Sequence, residues 1–139
     1  MARGGLTERG AAALGLGAAL ALVVAQLAVG AVWSLGHDDP TELDLTRRCL
    51  EREKGLRVEE TVDDAVAASA RGGTVRTIVE GALATVSIAS SAAEVERLRA
   101  AYLAVGVAAE RIDVHGRYVT LWLRPPSPTQ RQGIYDCAY

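Results

Sequence analysis

The chain has 139 residues, 15 basic and 17 acidic side chains for a formal net charge of −2, half of its residues hydrophobic and no phenylalanine. That balance offers no basic face for neutralising phosphates, so nucleic-acid binding is set aside as a function class. About 100 residues remain after the apolar N-terminal stretch, enough for one hydrophobic core and too few for two domains.

From Gly10 to Gly36 run twenty-seven residues without a formal charge, between Arg9 and the His37-Asp38-Asp39 cluster. Roughly 20 apolar residues rising about 1.5 Å each cross a hydrocarbon core of about 30 Å, so residues 10–36 are expected to form a transmembrane signal-anchor helix. Arg3 and Arg9 precede the run, whereas Asp38, Asp39, Glu42 and Asp44 follow it before any arginine. The positive-inside rule then puts residues 1–9 in the cytoplasm and the rest of the chain outside, as a single-pass protein of the cell membrane. A cleaved signal peptide is the competing reading, because Val29-Gly30-Ala31 supplies small residues. The run exceeds the usual signal core of about 7 to 15 residues, and either outcome exports the domain. Within the run, Gly17, Ala21, Ala25 and Ala28 share one stripe beside Gln26, a candidate helix-association surface. The lipid bilayer is thus the first expected partner.

Residues 37–41 read as a juxtamembrane linker and 42–139 as an extracytoplasmic α+β domain. Pro40 stops the preceding helix, and Thr41-Glu42-Leu43-Asp44 has the form of a capping box, so a helix is expected from Glu42 to about Lys54, ending at Gly55. Leu56 to Val62 alternates like a strand. Asp63 is placed to cap a short Ala-rich turn through Ala70, closed by Gly72-Gly73. Thr74–Glu80 and Leu83–Ala89 form a hairpin around Gly81-Ala82, with Val75, Thr77 and Val79 opposite Ile88, Val86 and Ala84. Ser91-Ala92-Ala93-Glu94 is a second capping box, followed by Val95, Leu98, Tyr102 and Val105 at helical spacing until Gly106.

A second hairpin joins Arg111–His115 to Tyr118–Arg124 at Gly116-Arg117. Ser127-Pro128-Thr129-Gln130 then combines an N-cap, an N1 proline and an N3 glutamine, so a last helix should reach Cys137. The expected fold is a small antiparallel sheet, two hairpins plus one strand, packed with two to three helices. In element order the middle of the domain resembles a ferredoxin-like β-α-β-β-α-β unit and small envelope domains of the SPOR and BON type. That likeness is one of shape over roughly 60 residues, and it carries no site residue across.

Cys49 and Cys137 lie near the two ends of the exported part, on the same side of the membrane. A bridge between them closes a loop of 88 residues, for which chain entropy gives about 4 to 5 kcal/mol. Export favours that bridge over two buried thiols.

There is no glycine-rich phosphate loop, no serine in a nucleophile-elbow setting and no Cys or His cluster at metal-ligand spacing. No enzyme activity, cofactor or metal is therefore expected. The register of the second hairpin directs Ile112, Val114, Val119, Leu121 and Leu123 to the core. It leaves Arg111, His115, Tyr118, Trp122 and Arg124 together on the opposite face. Arginine and aromatic side chains dominate binding hot spots, so this is the expected interaction face. The sequence thus reads as a non-catalytic, membrane-anchored interaction module of a bacterial envelope with a protein partner. The alternative is a small binding domain for an envelope polymer or lipid at the membrane surface. Neither the partner nor the oligomeric state is written in the residues.

Overall fold

Two tight turns set the sheet. Glu80 and Gly81 both take left-handed φ values, 47° and 74°, as a type I′ hairpin requires. The loop is therefore Glu80-Gly81 and not Gly81-Ala82, and the strands β2 (Thr74–Val79) and β3 (Ala82–Ile88) pair with Val75 opposite Val86 and Thr77 opposite Ala84. Moving the loop by one residue shifts the register by two, so every side chain keeps its expected face. At the second turn Gly116 has φ 57°, and β4 (Ile112–His115) pairs with β5 (Tyr118–Trp122) in the expected register, Ile112 opposite Leu121 and Val114 opposite Val119.

The computed structural model describes residues 39–60 and 62–139. The expected anchor 10–36 and its stripe of Gly17, Ala21, Ala25, Gln26 and Ala28 lie outside the described residues, as do residues 1–9 and residues 37–38 of the linker. Among the described residues no helix is long and apolar enough to cross a membrane.

The domain is α+β, with a five-stranded antiparallel sheet in the order β1-β2-β3-β5-β4 and three α-helices. The strand expected over Leu56–Val62 is reduced to β1 (Val58–Glu59) at one edge. The helix α1 (Glu42–Arg48) opens on the full capping box at Thr41 and continues as a wider π-helical turn, Cys49–Glu53. Helix α2 is Ala92–Ala104, capped by Ser91, and α3 is Pro128–Tyr135, where Ser127 and Gln130 complete the expected box around Pro128. The Ala-rich turn is a short 3-10 segment, Ala67–Ser69, and its cap is Asp64 rather than Asp63: one carboxylate oxygen accepts from the amides of Val66 and Ala67 at 2.9 and 3.0 Å.

Strands β3 and β4 run in the same direction with β5 between them, and α2 links them, which is a split β-α-β arrangement. Alternation along the strands defines two faces. On one lie Val75, Val79, Ala84, Val86, Ile88, Tyr118 and Trp122, and α1 and α3 pack on them through Cys49, Leu50, Ile134 and Cys137. On the other, Val119 and the part-buried Ile112 and Leu121 meet Val95, Leu98 and Tyr102 of α2. The sheet is thus a middle layer with helices on both sides.

Cys49 and Cys137 form a disulfide with Cα atoms 5.5 Å apart, and both residues are buried. It joins the π-turn after α1 to the turn after α3, so the bridge ties together the two elements that cover one face. An ion pair from Lys54 to Asp136 lies next to it and holds the Asp136 carboxyl below its usual range.

Candidate interaction face

The aromatic face expected from the second hairpin is where the structure departs most from the sequence reading. Trp122 is completely buried and Tyr118 nearly so. The Tyr118 hydroxyl lies 3.0 Å from the Thr46 hydroxyl of α1 and accepts from the Tyr139 amide at 3.1 Å; burial pushes its phenol pKa up. The expectation that these rings are exposed is therefore corrected. The register is the expected one, but α1 and α3 close over this face, and a two-sided sheet leaves no wet side for Trp122.

The remaining members of that set are dispersed. Arg111 donates from Nε to the Trp122 carbonyl at 2.8 Å, which ties the residue before β4 to the end of β5. His115 is exposed and stacks on Tyr135 of α3, ring centres 4.2 Å apart, beside the Tyr135 hydroxyl that donates to Asp113. Arg131 adds an ion pair to Asp113. Burial, then the adjacent Asp113 carboxylate, push the Tyr135 phenol up to about 12. Arg124 is exposed beyond the end of β5. Arg111, His115, Tyr118, Trp122 and Arg124 are therefore not one surface.

The open surface lies on the opposite face, at the far end of the strands. Helix α2 covers that face around Ser87 and Val119, and it is fixed there by Glu94. The Glu94 carboxylate accepts from the Ser90 hydroxyl and amide, from the Arg71 amide at 3.0 Å and from Arg97. These bonds, the Ser90 hydroxyl first, hold Glu94 down at about 2 although the residue is buried among polar groups. Arg97 also donates to the Ser69 carbonyl and hydroxyl, so the 3-10 segment is fastened to the start of α2. Beyond Leu121 the cover ends.

There the sheet presents a row of apolar side chains. Ile78 of β2 pairs with Leu83 of β3, and the Leu123 amide donates to the Leu83 carbonyl, so the three residues lie side by side. Ile78 is 57% and Leu123 65% exposed, with Leu83 half-buried between them. Two open hollows adjoin the row: one is lined by Arg57, Glu59 and Arg76, the other by Arg76, Arg111 and Asp63. Among the described residues Arg57, Arg76, Arg111 and Asp63 take part in no ion pair, and the Arg76 Nε is buried without an acceptor.

Sequence reasoning had Leu123 as core and missed this row. The signal available was the absence of charge from Tyr118 to Leu123 and from Ala82 to Ala89, which marks strands covered on both faces and leaves the strand ends as the exposed apolar positions. Among the described residues no three His, Cys, Asp or Glu side chains converge as a metal site. Comparison with protein-family models, with curated proteins and with solved structures yields no match, so the geometry of this face stands without a relative to interpret it.

Proposed function

We propose that the protein is a single-pass, membrane-anchored interaction module of a bacterial envelope, non-catalytic, with its disulfide-closed domain outside the membrane and the Ile78-Leu83-Leu123 row as its contact surface. The observation that carries this reading is that row: an apolar strip at the end of a sheet otherwise covered on both sides, framed by charges of both signs that form no ion pair among the described residues. A covered core with a polar rim around an apolar centre is the anatomy of a protein-binding patch. The buried Cys49–Cys137 bridge agrees with export, and the charge-free run 10–36 supplies the anchor.

Pro40, the first residue of α1's lead-in, and the row stand at opposite ends of the domain's strands. The chain enters at Pro40, where Glu42 of α1 pairs with Arg117 of the β4-β5 turn. From Tyr118 to Leu123 is about 17 Å at 3.4 Å per residue, so the row is removed from the start of α1.

A photo-crosslinking side chain at position 123 of the full-length, membrane-inserted protein tests this. A crosslinked protein product from position 123, with none from the exposed position 48 on α1, is the expected result. Equal capture at both positions, or none at 123, would remove the face from consideration. A C-terminal alkaline phosphatase fusion should be active, and an inactive one would refute the orientation.

A further inference from the structure

We propose that the occupant of the Ile78-Leu83-Leu123 row is a second copy of this chain, paired face to face on the same membrane; this rests on reading the row as a contact surface. The argument is one of charge. A face that recognises a different protein can carry one sign, whereas a face that pairs with itself about a two-fold axis must complement its own charges. Here the apolar row is bordered by Arg57, Arg76 and Arg111 and by Asp63 and Glu59. Arg76 lies opposite Glu59 in the β1-β2 register but makes no ion pair with it; Asp63 forms none among the described residues either, and Arg111, which donates from Nε to the Trp122 carbonyl, has no acidic partner there. In a two-fold pair the arginines of each copy face the acidic side chains of the other, while Ile78, Leu83 and Leu123 of the two copies share the dry centre.

Size and tether fit the same picture. Three apolar side chains and their rim fall short of the roughly 20 to 30 residues per side typical of a stable soluble dimer. Confinement to one membrane supplies what the small area lacks, because two copies held in one thin layer meet at a local concentration far above that of the same chains free in bulk solution. A sheet face rather than a strand tip carries the row, so two copies of the domain can present it to each other face to face.

The test uses full-length chains with donor or acceptor fluorescent proteins at their N-termini, co-reconstituted in phosphatidylethanolamine–phosphatidylglycerol vesicles. Energy transfer should exceed that of an unrelated single-span protein at equal density, and Leu123→Asp should bring it down to that control. Arg76→Glu alone and Asp63→Arg alone should each lose transfer, since each makes both symmetric contacts repulsive. Mixing the Arg76→Glu chain with the Asp63→Arg chain should restore it, because both contacts are then attractive. A circular dichroism spectrum and an intact disulfide in each variant separate lost pairing from lost folding. Transfer at the control level for the unaltered chain overturns the proposal, as does transfer that all three variants leave unchanged. If self-transfer is absent while position 123 still crosslinks a different envelope protein, the second copy is refuted and the contact surface stands.

Discussion

The two faces of this sheet are built from similar residues and end in opposite states. Trp122 and Leu123 are adjacent in the chain and point to opposite faces; one is fully buried and the other 65% exposed. The difference arises from what lies above each strand end, not from the side chains. On the Trp122 face two helices from opposite ends of the domain are held together by Cys49–Cys137, and their combined span covers the sheet. On the Leu123 face a single helix, α2, covers one half and leaves the other uncovered. Hydropathy alone cannot tell these apart, because burial is decided by cover.

The largest expected effect comes from removing the clamp. Cys49→Ala, measured by denaturant unfolding of the full-length chain under oxidising conditions, should cost about 4 to 5 kcal/mol. An unchanged midpoint would mean that the two helices hold the Trp122 face without covalent help. Next is the direct contrast of neighbours. Trp122→Ala should destabilise by about 3 to 5 kcal/mol, as for other large core aromatics, while Leu123→Ala stays within about 0.5 kcal/mol. Similar losses at the two positions would erase the distinction between the faces.

A smaller effect belongs to Glu94, which holds α2 over its half of the open face. Its folded pKa is depressed to about 2 from the ordinary carboxyl value of 4.5, so the carboxylate stabilises the domain above the unfolded value. That contribution is lost as pH falls from 4.5 through about 2. Glu94→Gln should lower stability at neutral pH and flatten the acid limb in this window. A variant with the parent's full acid sensitivity would place the loss at other carboxylates, such as Asp44 held down by the Thr41 hydroxyl or Asp136 by Lys54.

Much of the fold was legible because local chemistry and tertiary structure agree. The caps at Thr41, Ser91 and Ser127 start the three helices, and Gly116 fixes the β4-β5 register. The first turn was misplaced by one residue because Glu80 takes a left-handed conformation that non-glycine residues rarely adopt. The strand over Leu56–Val62 is reduced to two residues at the sheet edge, where β1 pairs with β2 alone through Val58 and Glu59. The site was legible only in its residue types. Arg111 serves the expected hairpin, yet its role is to hold the Trp122 carbonyl. Which face is wet depends on α1 and α3 meeting through a bridge 88 residues long, and no local pattern encodes that.

Hydroxyl-radical footprinting of the full-length protein, dilute in detergent, tests the contrast most directly, with each side chain's oxidation rate normalised to the reduced, urea-unfolded chain. Trp122 and Tyr118 should be strongly protected, while Ile78 and Leu123 react at close to their unfolded rates. A Trp122 that oxidises as readily as Leu123 in the folded, disulfide-bonded protein would contradict the assignment of the closed and open faces.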